Sequence, residues 1–239
     1  MLLEDSGEIN KNGIGFRNHF ITYCTMPPPP TFSNPPLPKR DWNDYKPSAI
    51  KKKDIAINGL AFTLDNVFTQ DECKDIIDWS ENLGYIPAAL GHGTRVVSHV
   101  RKSDRCLIDT PELANIIFQR IRRYLPKQFN GGNLIEVNER LRCLRYDPGG
   151  FFRKHADGFY ERPDRSAISQ ITVQFYLNEG FEGGETTFYV NRDNKKIPCI
   201  PKTGRILVFE HKLIHEGSKL ISGRKYTIRS DVMYTQVWR

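Results

Sequence analysis

The chain has 239 residues, 38% of them hydrophobic and 26% charged, with a mean hydropathy of −0.53. That length allows one sizeable core beside a polar segment, and no apolar run approaches the ~20 residues that a membrane-spanning helix needs. A net charge of +7 and a pI near 9.1 would suit an anionic partner. No nucleic-acid motif accompanies the charge, so it reads as surface lysine and arginine plus one tract, Lys51, Lys52 and Lys53, and a nucleic-acid partner is only weakly supported.

Residues 1–53 differ in composition from the rest. They open without a basic stretch leading into an apolar one, so no secretory signal is visible. Prolines 27–30 and Pro35, Pro36 and Pro38 favour polyproline II and cannot pair inside a sheet. The expectation is a flexible, mostly solvated N-terminal arm, with docking on the body or on a partner as the alternative. The folded domain is expected over 54–239, starting near Ile55. Five cysteines, Cys24, Cys73, Cys106, Cys143 and Cys199, form an odd set with no C-x-x-C spacing, which argues against a disulfide framework or a zinc ribbon. A cytoplasmic or other reducing compartment is the simpler expectation.

A helix is predicted over 69–83. Thr69 and Glu72 make a capping box, Cys73, Ile76, Ile77 and Leu83 form an apolar stripe, and Gly84 supplies the stop. A second helix starts at Thr110, carries Pro111 in its first turn and ends at Pro126. The period then changes to that of strands, predicted over 134–146, 168–178, 185–190, 205–210 and 225–234, with glycine- and proline-rich turns between them. Helices followed by many strands predict an α+β chain whose strands form a two-sheet jelly roll, with the N-terminal helices backing one sheet.

The strongest chemical signal is His155-Ala156-Asp157 with His215 sixty residues later. Two imidazoles and one carboxylate on one face of a metal leave positions open for other ligands, the arrangement of non-haem Fe(II) oxygenases. His155 and Asp157 lie two apart, so an extended backbone points both the same way. His215 is the expected third ligand, because Glu216 and Gly217 follow it and a basic strand comes soon after. His211 competes for the role, while His92 and His99 read as loop residues. A cosubstrate such as 2-oxoglutarate carries a distal carboxylate that wants a buried cation. Alternation puts Lys225, Thr227 and Arg229 on one face of the last strand, with Lys225 the first choice and Arg229 close behind for its planar fork. Tyr146 would add a phenol hydrogen bond or serve only as a strand aromatic. Two polar loops, 158–165 and 90–105, are candidate lids over a substrate pocket or only connectors, and in the second Arg101 and Arg105 would bind an acidic or peptide substrate or simply solvate the loop.

Together these residues resemble the prolyl 4-hydroxylase-like branch of the Fe(II)/2-oxoglutarate dioxygenases. Tyr146-x-x-Gly149 leading to His155-x-Asp157 is similar to the family's first motif. Tyr176-Leu177-Asn178 followed by Gly183-Gly184-Glu185-Thr186-x-Phe188 is similar to its central strand pair, and His215 with Lys225 to its distal spacing. The resemblance covers roughly residues 64–234. It implies a double-stranded β-helix (jelly roll, cupin-like) core, iron ligands His155, Asp157 and His215, and the cofactors Fe(II), 2-oxoglutarate and O2, with ascorbate as reductant. Arg229 stands where collagen-type relatives are usually uncharged. The activity implied is C–H hydroxylation of a peptidyl or free prolyl substrate. The alternatives are the same chemistry on a small metabolite or an alkylated nucleobase, and a catalytically silent jelly roll used for binding. The complete ligand set argues against the silent reading. Asp157 fills the place that a halogenating relative leaves open for halide, which argues against halogenation.

Overall fold

The last strand, Lys225–Thr235, shows how side-chain alternation builds the molecule. Its even-numbered Ile228, Val232 and Tyr234 pack into the main apolar core, while odd-numbered Lys225, Thr227 and Asp231 are buried on the other face. The neighbouring strand pair repeats the division. In Arg205–Glu210, Ile206 and Val208 join the main core, and Leu207 and Phe209 join a second cluster with Tyr176, Phe188 and Cys199. One face of this sheet is therefore covered by helices and the other by a second sheet. A computed structural model of the chain describes residues 31–43, 49–89, 96–190 and 195–236.

The larger sheet runs in the order Thr31–Ser33, Asp104–Asp109, Arg140–Tyr146, Lys225–Thr235, Ala167–Tyr176, Arg205–Glu210, Ala61–Asp65 and Lys51–Asp54. Gly132–Val137 pairs beside it with the last strand. The second sheet runs Lys195–Cys199, Thr186–Val190, His215–Gly217, Phe151–His155 and Arg101–Lys102. This is the expected jelly roll with helices backing one sheet.

Both helices form where their caps predict them. The first, α1 (Gln70–Leu83), has Thr69 as N-cap in a reciprocal capping box with Glu72, and ends at Gly84. The second, α2 (Pro111–Ile121), is capped by the Thr110 hydroxyl and continues as one 3-10 turn, Arg122–Tyr124, before Pro126. The expected strand 134–146 is two strands. The chain breaks at Asn138, whose side chain accepts from Arg140 N at 2.8 Å while its own N–H donates to Asp231 O. Both halves still pair with the last strand. The Lys51, Lys52 and Lys53 tract lies in an exposed edge strand, where charge discourages further pairing.

The proline-rich segment takes the docked alternative over residues 31–43. Thr31–Ser33 pairs in parallel with Leu107, Ile108 and Asp109, and Trp42 is 7% exposed within the main core. Prolines 27–30 and Cys24 lie outside the described residues. The other four cysteines are buried and free.

A buried ion pair ties the segment to the helices. Arg120 of α2 donates to Glu72 of α1 at 2.7 and 3.0 Å, to Val67 O at 3.1 Å and to Trp42 O at 2.5 Å. Both charged side chains are 1% exposed. Removing one member of such a pair leaves a charge in the core without its counter-ion, which costs far more than the pair's net contribution. Glu72→Ala is therefore expected to lower the unfolding free energy by about 3–5 kcal/mol in urea denaturation. A loss under about 1 kcal/mol would contradict this account of the pair.

Candidate metal centre and its cavity

His155 ends one strand of the smaller sheet and His215 begins its neighbour, in direct register, with a bulge between Phe152 and His155. Bulges re-aim side chains, and here the two rings lie 4.3 Å apart between centroids. Asp157 follows beyond the strand end, its N–H donating to His211 O at 2.9 Å. One donor atom from each of His155, Asp157 and His215 lies within 4.8 Å of the others. Asp157 Oδ1 is 3.6 Å from His155 Nε2, and Oδ2 is 3.9 Å from His215 Nε2.

The imidazole tautomers follow from their partners. His155 Nδ1 is 2.7 Å from Arg153 O and His215 Nδ1 is 2.9 Å from Leu213 O. A carbonyl oxygen only accepts, so each Nδ1 carries the proton and each Nε2 presents a lone pair to the shared space. Such outer bonds fix ring orientation at metal sites. Phe152 stacks on His155 at 3.7 Å, and Phe209 meets His215 edge-on at 4.7 Å. Burial pushes the His215 pKa down to about 4, further than the Asp157 charge raises it.

Asp157 is gripped from the larger sheet. The Thr172 hydroxyl donates to Oδ2 at 2.6 Å, and Arg229 NH2 lies 3.2 Å from Oδ1. Burial alone would raise this carboxyl's pKa. The Arg229 guanidinium and the Thr172 hydroxyl oppose that and hold the group well below the usual carboxylate range. Arg229 also reaches Asp231 at 3.1 Å, and Asp231 meets Arg142 at 3.2 Å and His211 at 3.3 Å. His211, the competitor for third ligand, thus sits against Asp231 and outside the three-residue cluster.

The cluster opens into a cavity of about 420 Å³ lined also by Tyr146, Gln174, Thr186, Lys225 and Arg229. Lys225 is 3% exposed, and its ammonium donates to Gly184 O and sits 5.1 Å from the Tyr146 ring centroid and 5.6 Å from that of Tyr176. No carboxylate among the described residues pairs with it, and burial lowers its pKa to about 8. Gly184 has φ +72°, and a Cβ there would meet Lys225 Cδ at 3.2 Å, so glycine keeps the space beside the lysine open. Thr227 Oγ1, on the same strand face, is buried without a hydrogen-bond partner. A buried ammonium with no carboxylate bonded to it among the described residues fits the distal carboxylate of a dicarboxylic cosubstrate, and two lone pairs with a carboxylate fit a divalent metal.

Loop residues Gly158, Phe159 and Tyr160 line the cavity, and Arg162 holds the rest of that loop to Glu136 and Glu139. Val100, Arg101 and Arg105 line it as well; residues 90–95, with His92, lie outside the described residues. Sequence reasoning missed Thr172, Asp231 and Arg142. Asp231 was legible, since it shares the alternation of Lys225 and Arg229. Thr172 was not, because nothing local marks its partner fifteen residues away.

The 2OG-Fe(II) oxygenase superfamily matches residues 141–230. Prolyl 4-hydroxylase 1 of Arabidopsis thaliana is 28% identical over 159 residues, covering 56% of this chain and 54% of the relative. The chain therefore spans about half the length of that curated relative. Among solved structures, a Pseudomonas putida prolyl-4-hydroxylase matches with a TM-score of 0.56 at 18% identity, over 73% of this chain and 93% of that one. A Trichoplax adhaerens prolyl hydroxylase, in complex with a hypoxia inducible factor peptide fragment, matches with a TM-score of 0.58 at 19% identity, over 72% and 82%. At these identities the structures share the fold.

The depressed imidazole sets a pH dependence. In the unfolded chain His215 takes up its proton near pH 6.5, and in the folded chain only near 4. Between those values the folded state binds fewer protons, so stability falls as pH drops. Metal-free protein is expected to lose on the order of 2–3 kcal/mol of unfolding free energy from pH 6.5 to 4, and His215→Gln less. Equal pH profiles for the two proteins would contradict it.

Proposed function

This chain belongs to the 2OG-Fe(II) oxygenase superfamily, in its prolyl 4-hydroxylase-like branch, and on that premise we propose that it is an Fe(II)- and 2-oxoglutarate-dependent dioxygenase that hydroxylates a prolyl C–H bond, peptidyl or free. The observation that carries the proposal is the convergence of His155 Nε2, Asp157 and His215 Nε2, with both Nδ1 protons committed to backbone carbonyls. When bound, the iron and cosubstrate supply the oxidising chemistry, in which O2 converts 2-oxoglutarate to succinate and carbon dioxide and the substrate C–H becomes C–OH.

The chain's own residues do the holding. His155, Asp157 and His215 are the assigned metal ligands. Lys225 is assigned the distal carboxylate of 2-oxoglutarate, with Tyr146 packed on its ammonium. The structure offers Arg229 a different task from the one its sequence position suggests. Its guanidinium faces Asp157 and Asp231, so we assign it to fixing the ligand carboxylate rather than to the cosubstrate. Phe152 packs on the His155 ring, and Phe188 and Phe209 flank that of His215. Ascorbate as reductant and a peptide substrate are part of the proposal. The resemblance to the A. thaliana prolyl 4-hydroxylase supports a prolyl substrate, and the peptide bound by the T. adhaerens protein illustrates how this fold can take one.

Purified protein given Fe(II), ascorbate and 2-oxoglutarate should form succinate without added substrate. A chelator should stop this and Fe(II) restore it. His155→Ala and Asp157→Ala should each reduce it about 100-fold or more. Wild-type protein that binds neither iron nor 2-oxoglutarate would sink the proposal. Proline-rich peptides should stimulate turnover; if only small metabolites or alkylated bases do so, the prolyl assignment fails and the enzyme class stands.

Lys225→Ala is expected to raise the 2-oxoglutarate KM at least about tenfold while leaving Fe(II) affinity within about twofold, because a charge-assisted bond to the cosubstrate is lost and the metal ligands are untouched. If Arg229→Ala shows that split and Lys225→Ala does not, the cosubstrate assignment is reversed.

A further inference from the structure

The cavity wall away from Lys225 carries more positive charge than the proposed metal and cosubstrate use. Arg142 and Arg229 stand directly opposite each other on paired strands. Like charges in that position repel, and the two share a single carboxylate, Asp231. On the next strand Arg105 is buried and also lines the cavity, its pKa lowered first by burial and then by the charges of Arg101 and Arg142. Arg101 approaches from the smaller sheet. Its guanidinium sits 4.7 Å from the Phe152 ring, and that ring stacks on His155.

Four guanidinium groups therefore line the cavity that holds the proposed metal ligands, three from the larger sheet and one from the smaller. Among the described residues lining the cavity the only carboxylates are Asp157 and Asp231. Asp157 is committed to the metal in the reading above. A dianionic cosubstrate would be neutralised by the metal and Lys225. Clustering cations in a recess raises the local concentration of anions, and the planar fork of arginine matches a carboxylate bidentately.

We propose that the wall formed by Arg101, Arg105 and Arg142 is a carboxylate subsite for the substrate, so that the molecule oxidised carries an acid group close to its reacting carbon. This rests on the oxygenase reading and names the substrate class that reading leaves open. The acid is either the free carboxylate of a small molecule, such as an imino acid, or the side chain of an acidic residue beside the reacting one in a peptide.

The test uses the full chain with Fe(II) and saturating 2-oxoglutarate. Matched probes are compared: L-proline against L-prolinamide, and a proline-containing peptide with glutamate beside the proline against its glutamine counterpart. Succinate formation reads turnover. Calorimetry on protein loaded with Mn(II) and 2-oxoglutarate reads binding without turnover. The expected result is an acid favoured over its amide at least about tenfold in kcat/KM or affinity, with that ratio falling toward one in Arg101→Gln. A ratio within one protein is insensitive to a general loss of active enzyme. Should Arg101→Gln fail to fold, the wild-type ratios alone decide the matter. The member of the pair that responds tells which source supplies the acid. Amide or phosphate-bearing probes that match the acids, or acids that neither bind nor stimulate, would overturn the subsite. If 2-oxoglutarate turnover persists in that same preparation, the failure belongs to the subsite alone, and loss of that turnover strikes the oxygenase reading instead.

Discussion

The carboxylate of Asp157 is the point on which the site depends, because it is where the two sheets meet chemically. Its side chain is 7% exposed. One oxygen faces Thr172 and the other Arg229, both on the larger sheet, while the imidazoles it faces come from the smaller one. Burying an isolated carboxylate is costly, and a hydroxyl and a guanidinium offset that cost in place. The same bonds leave the carboxylate little freedom to turn. The histidines are fixed by another route, each by a proton given to a carbonyl two residues back. The three side chains proposed as metal ligands are thus oriented before any ion arrives, which would lower the ordering cost of binding one.

The inner face of the larger sheet shows the same trade between stability and use. Its outward side chains are apolar and form the main core with α1 and α2. Its inward side chains include Lys225, Arg142, Arg229 and Asp231, spaced by strand alternation. A jelly roll built for stability alone would fill these places with apolar residues. Lys225 is the clearest case, a buried ammonium with a carbonyl and two aromatic rings for company. Charge kept in such positions is a mark of a functional site.

Local pattern made much of this legible. Thr69 with Glu72, and Pro111 after Thr110, located both helix starts, because caps act within one turn. Alternation located the long central strands and the shared face of Lys225 and Arg229. The H-x-D spacing gave two of the clustered side chains, and the residues after His215 favoured it over His211. What stayed hidden depends on distant partners. Nothing near Glu72 announces Arg120, forty-eight residues on. The strand Phe151–His155 is short, half exposed and basic, so its composition hides its place in the second sheet. Lys51–Asp54 and Thr31–Ser33 are strands only because a neighbouring strand offers its edge to them. The break at Asn138 comes from the side chain of one residue within an otherwise continuous strand pattern.

An anaerobic crystal structure of the chain loaded with Fe(II) and 2-oxoglutarate, with anomalous scattering recorded at the iron edge, tests the central claim most directly. The account predicts one iron peak bonded to His155 Nε2, Asp157 and His215 Nε2, with the distal carboxylate of 2-oxoglutarate on Lys225. Iron bound through other residues, or a 2-oxoglutarate that sits on the arginine wall and leaves Lys225 untouched, would contradict it.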